Sequence, residues 1–182
     1  MKITEVKAVY PKYKKIPVSW RTNFWQIVVR VETDTGAIGF GYGGGGTAAG
    51  QIINGHFNEL LVGKSIETTT DIESLWKMMY KASIPYGRKG LAIMALSGVD
   101  LAFYDLVSKN NNKPVYDLIG GLKNQKIKSY VTGEHPELYR DMGYTAHKFT
   151  HNWDGTLESY DIAVSKAYKN RLLFGADATL MI

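Results

Sequence analysis

The sequence predicts an α+β domain, a three-stranded antiparallel meander plus helices, followed by strand–helix units of the parallel kind. Three observations predict it. Short apolar strands come first and are joined by a tight turn. A block of helical patterns follows. After Gly121 strands and helices alternate.

Ile3 to Tyr10 alternates apolar and polar, as a half-buried strand does. Pro11 to Thr22 is basic, holds Pro11 and Pro17, and reads as a loop. Phe24 to Thr33 is a second strand, and Ala37 to Tyr42 returns from it after Asp34-Thr35-Gly36, where glycine takes a positive φ at little cost. Thr47 to Leu61 reads as a helix with Ile52, Ile53, Phe57, Leu60 and Leu61 near one face. Thr70-x-x-Glu73 reads as a capping box opening the next helix, which turns Leu75, Met78 and Met79 to a core. Leu91 to Lys109 is a long central helix rich in Ala, Gly and Leu.

The pattern then changes. Ile127 to Thr132 is a strand, and Pro136 to Met142 is a short helix that Gly143 can cap. Ala146 to Thr150 is a strand, and Leu157 to Lys169 is a helix with Ile162, Val164 and Ala167 inward. Thr179 to Ile182 begins another strand. Such alternation describes parallel barrel units.

With 45% hydrophobic and 21% charged residues in 182, the chain can bury a real core and does not read as disordered. The formal charge of +5 is scattered, with no basic tract interleaved with aromatics, which argues against a nucleic-acid partner. The absence of cysteine excludes disulfides and thiolate metal sites and fits a cytoplasmic setting. The start, Met-Lys-Ile-Thr-Glu-Val-Lys, has no apolar signal core, and the most apolar run carries Asp100 and Asp105, so no membrane partner is expected.

Gly39 to Gly44 satisfies G-x-G-x-x-G, but the preceding strand is the return arm of a hairpin, whereas dinucleotide binding needs a parallel unit. The reading favoured instead is a mobile loop whose glycines let backbone close over a site. In the basic loop, Lys14, Lys15, Trp20 and Arg21 could meet a carboxylate, Arg21 first, because a guanidinium fork fits one. His147 and His151 are four apart on a strand, hence about 13 Å apart, which is too far for a metal pair. His151, with Asn152 and Asp154, sits at a strand exit, where barrel chemistry gathers. His56, His135, Arg88 and Lys89 read as structural or solvated, and Asp100 and Asp105 as carboxylates held by backbone or Arg.

Ala95-Leu96-Ser97-Gly98-Val99-Asp100-Leu101-Ala102-Phe103-Tyr104-Asp105-Leu106, followed by Lys113-Pro114-Val115-Tyr116-Asp117-Leu118-Ile119-Gly120-Gly121, resembles the enolase superfamily, mandelate racemase and muconate lactonizing branch. Phe103-Tyr104 stands where that branch usually has Leu-Trp. Pro85-Tyr86-Gly87-Arg88-Lys89-Gly90, Tyr130-Val131-Thr132-Gly133 and Met142-Gly143-Tyr144 resemble its L-rhamnonate dehydratase-like members. The resemblance implies an α+β capping domain (three-stranded antiparallel meander plus helices) over residues 1–121, followed by a partial (β/α) TIM-type barrel over 122–182. It implies magnesium-assisted abstraction of a proton α to a carboxylate, then loss of a β-hydroxyl from an acid sugar.

In the family, metal carboxylates follow the third, fourth and fifth barrel strands. The strand at Thr179 to Ile182 matches the third, so the resemblance implies that this chain stops before its first metal ligand. On that expectation it binds no magnesium alone, is inactive alone, and works as a homo-oligomer or with a complementing polypeptide. A non-catalytic remnant or assembly module is the alternative, and a racemase the second. Racemases of this branch carry Lys-x-Lys on strand two. Lys148 matches the first lysine and Thr150 stands where the base would be, so no catalytic residue is assigned. Family loops from the capping domain cover the substrate, which makes Arg21, Trp20 and Tyr42 substrate-binding candidates, and His151 joins them from its strand exit.

Overall fold

The structure is a computed structural model and describes residues 1–12, 24–151 and 154–182. The chain forms two compact units, Met1–Leu122 and Lys123–Ile182.

The first unit is the expected meander with helices. Strands β1 (Ile3–Val9), β2 (Ile27–Thr33) and β3 (Ile38–Gly43) pair antiparallel in that order. Ile3, Val6 and Ala8 of β1 and Ile27, Val29 and Val31 of β2 are buried. A register shift between Ile3 and Glu5 explains why the inward set of β1 changes from odd to even numbers. The turn at Asp34 closes as expected, with Gly36 at φ 78° donating its N–H to Thr33 O at 3.0 Å.

Helix α1 (Gly46–Ile52) runs through one π-helical turn, Ile53–Phe57, into α2 (Asn58–Leu61). Helix α3 (Thr69–Ser83) starts two residues earlier than its expected capping box. Thr68 is the cap, with its hydroxyl accepting from Asp71 N at 3.2 Å. The Asp71 carboxylate accepts from Thr68 N at 2.9 Å and Glu67 N at 3.0 Å. The Thr68 hydroxyl first, and these N–H groups with it, hold the Asp71 carboxyl below its ordinary range.

Helix α4 (Leu91–Asn110) lies across the sheet and is buried from Ala92 to Ser108 along one side. It is long and apolar enough to cross a membrane, yet most of its apolar window is inside the protein, as in a central core helix. Its approach explains the glycines of β3. A Cβ on Gly41 would sit 2.2 Å from Gly98 O, and one on Gly39 2.2 Å from Ala102 O. The G-x-G-x-x-G run is therefore neither a nucleotide loop nor a closing lid. Gly39, Gly41 and Gly43 lie in an antiparallel strand, and their missing side chains let α4 touch the sheet. The short helix α5 (Val115–Leu118) follows α4.

The second unit is a parallel sheet of β4 (Val131–Thr132), β5 (Ala146–Lys148) and β6 (Thr179–Met181), in that order, with α6 (Pro136–Asp141) after β4 and α7 (Leu157–Phe174) after β5. The strands are shorter than the sequence predicts. Helix α7 runs five residues longer than expected, until Gly175 at φ 86°. Its inward face also differs from expectation. Ile162 and Val164 are exposed, at 55% and 49%, while Ser159 and Asn170 are buried. Polar residues hold the inside because each finds a histidine there, as described next.

Candidate functional site

The second unit carries the polar cluster. Alternation on β5 puts His147 and Phe149 on the buried side and leaves Lys148 exposed on the other. His147 is fully buried. Its Nδ1 is 2.8 Å from Asn170 Oδ1 and its Nε2 is 2.9 Å from Gly133 O. The rings of Tyr139, Phe149 and Phe174 surround it at 5.3–5.7 Å. Asn170 donates in turn to Lys166 O at 2.9 Å. Sequence alone set this histidine aside as a metal ligand and gave it no role. The structure makes it the pin that fastens α7 and the β4 exit to β5.

The exits of β4 and β5 meet at Glu134 and Thr150. The Thr150 hydroxyl donates to Glu134 Oε1 at 2.5 Å. Lys166 Nζ donates to Glu134 Oε2 at 2.5 Å and to Thr150 O at 2.7 Å. Lys166 first, then Thr150, hold the Glu134 carboxyl at about 2. Nearby, His151 Nε2 is 3.0 Å from Ser159 Oγ, and Asp154 Oδ1 accepts from Thr156 N at 3.0 Å and Thr156 Oγ1 at 2.7 Å. The Thr156 hydroxyl is the main reason the Asp154 carboxyl lies below its ordinary range. Thr156 also caps α7, accepting from Ser159 N at 3.1 Å. A polar hollow of about 600 Å³ is lined by Glu134, Thr150, His151, Asp154, Thr156 and Lys166, among others.

Of the sequence candidates, Thr150 and His151 share this hollow, and Lys148 does not line it. Tyr42 belongs to the first unit, on β3, 62% exposed and opposite Val28. Trp20 and Arg21, with Lys14, Lys15 and Asn152, lie outside the described residues. His56 Nδ1 is 2.7 Å from the Tyr86 hydroxyl. Asp105 accepts from Phe40 N at 2.7 Å and Lys109 Nζ at 2.5 Å, and so joins α4 to β3. Burial pushes the Asp100 carboxyl up. Among the described residues, no three His, Asp or Glu side chains converge as a metal site would require, so these residues do not fit a divalent-cation site by themselves.

Sequence reasoning missed Glu134, Lys166, Asn170 and Ser159. The strand register supplies the signal for Glu134 that sequence lacks. Thr132 pairs with Lys148, and the same offset places Glu134 beside Thr150 two residues past the strand ends.

Residues 3–120 match the family profile described as mandelate racemase / muconate lactonizing enzyme, N-terminal domain. An L-rhamnonate dehydratase of Saccharopolyspora erythraea is 33% identical over 96% of this chain and 45% of its own length. The crystal structure of L-rhamnonate dehydratase from Gibberella zeae superposes with a TM-score of 0.84 at 31% identity, over 98% of this chain and 50% of that one. A crystal structure of the Gibberella zeae rhamnonate dehydratase complexed with Mg matches with a TM-score of 0.84 at 27% identity, over 98% of this chain and 52% of that one. This chain thus spans about half the length of the relatives it matches.

Proposed function

The chain belongs to the mandelate racemase / muconate lactonizing enzyme family, and on that footing we propose that it supplies the capping domain and first barrel units of a dehydratase acting on L-rhamnonate or a closely similar acid sugar. The observation that carries this reading is the agreement with L-rhamnonate dehydratases along nearly the whole chain, in sequence and in fold alike.

The polar cluster supports a dehydratase over a two-base racemase. Thr150, which stands where a racemase base would be, donates its hydroxyl to Glu134. That partner does not make it a base. A carboxylate held at about 2 is a weak proton acceptor at neutral pH. In this proposal Lys166 and Glu134 fix the strand-two exit. His151, Tyr42, Trp20 and Arg21 contact the substrate, and magnesium sits on carboxylates other than those described. The working form is a homo-oligomer in the cytoplasm.

An assembly-module reading is favoured by one observation. Val164, Tyr168 and Leu172, four residues apart along α7, form an exposed apolar stripe. Both readings meet in one assay. L-Rhamnonate and magnesium are incubated with this chain alone, and with this chain co-expressed with the remaining barrel strands of an L-rhamnonate dehydratase. The 2-keto-3-deoxy product is followed as its semicarbazone. Turnover only in the co-expressed sample supports the dehydratase reading. A stable but inactive complex supports the module, and turnover by this chain alone overturns the assignment of magnesium to other carboxylates.

A further inference from the structure

The π-helical turn Ile53–Phe57 has a structural consequence at the free edge of β1. Buried Ala49, Ile53, Phe57 and Leu61 recur every four residues, and so do Gly50, Asn54 and Asn58 beside them. In an ideal α-helix a four-residue step drifts about 40° around the axis. Three such steps would carry Leu61 out of the core if Ala49 were in it. A widened turn reverses the drift and keeps both rows in line.

The second row meets the outer edge of β1. Asn58 Oδ1 accepts from Val6 N at 2.8 Å, and Asn54 Oδ1 accepts from Ala8 N at 2.6 Å. Asn54 Nδ2 donates to Ala8 O at 3.0 Å, so one side-chain amide imitates a paired strand. Further along the edge, Ile3 N donates to Lys64 O at 3.0 Å and Ile3 O accepts from Gly63 N at 2.8 Å. The outward amides at Ile3, Val6 and Ala8 are all taken.

We propose that the widened turn is a register device that holds Asn54 and Asn58 against β1 and so shuts this edge to strand addition by a second copy of the chain. An edge strand with unpaired amides is a template for such addition. The two asparagines remove the template without lengthening the sheet.

Hydrogen exchange and sedimentation velocity on the full chain test this. Asn58→Ala is expected to speed exchange of the Val6 amide about tenfold or more, and Asn54→Ala that of Ala8, because each leaves a donor without its partner. Asn54→Asp keeps the acceptor and is expected to leave the Ala8 amide protected. The double alanine variant is expected to associate at concentrations where the parent does not change its state. Unchanged protection of Val6 and Ala8 overturns the proposal, as does an unchanged association state in the double variant. An acceleration spread equally to Val29 and Val31 also overturns it, because the pair would then act on global stability alone.

Discussion

In the first unit, side chains from helices close the sheet on both sides. Asn54 and Asn58 lie on β1 and Asp105 on β3, while α4 buries its apolar side against glycines. In the second unit the helix α7 turns Val164, Tyr168 and Leu172 outward, and its inner side is fastened by His147–Asn170 and His151–Ser159. One region is held by area and close contact, the other by a few hydrogen bonds between polar groups. Apolar burial is roughly proportional to area and forgiving of direction. A hydrogen-bonded pin fails when one partner is lost.

This contrast is broken most severely at Gly41. A Cβ there would lie 2.2 Å from Gly98 O and 2.6 Å from Ala102 N, both backbone atoms that cannot swing aside. Gly41→Ala is expected to cost the first unit about 3 kcal/mol, at the upper end of overpacking penalties, read from the urea midpoint. The second unit should keep its own transition.

A smaller effect is expected at Glu134. Its folded carboxyl titrates at about 2, against an ordinary 4.5. A depressed carboxyl contributes stability above the unfolded value and loses it as pH falls through the folded one. The second unit should therefore weaken as pH drops from about 4.5 toward about 2. Glu134→Gln is expected to remove that step and to leave the first unit's acid response unchanged. A carboxyl titration by NMR that places Glu134 near 4.5 would contradict the Lys166 and Thr150 contacts.

The same contrast explains what could be read without coordinates. The meander, its Gly36 turn and the central helix follow from hydropathy alternation and turn chemistry, because apolar burial decides them. The family resemblance carried by Ala95 to Gly121 agrees with the profile match over residues 3–120. The glycine run misled, since its reason is the approach of a helix distant in sequence. The inward side of α7 misled for a related reason. Nothing in the sequence marks Ser159 and Asn170 as buried until His151 and His147 are known to face them. The capping box slipped by two residues because Asp71 does at short reach what Glu73 was expected to do. Glu134 and Lys166 became visible only when the parallel register joined two strand exits.

The most direct measurement of this contrast is native-state hydrogen exchange on the intact chain, comparing the Val29 and Val31 amides with the Phe149 amide, which donates to Met181 O at 3.1 Å. A closed first unit and a pinned second one give at least about a hundredfold greater protection in β2, equivalent to some 3 kcal/mol of opening free energy. Equal protection in the two sheets, lost together at one denaturant concentration, would contradict the account.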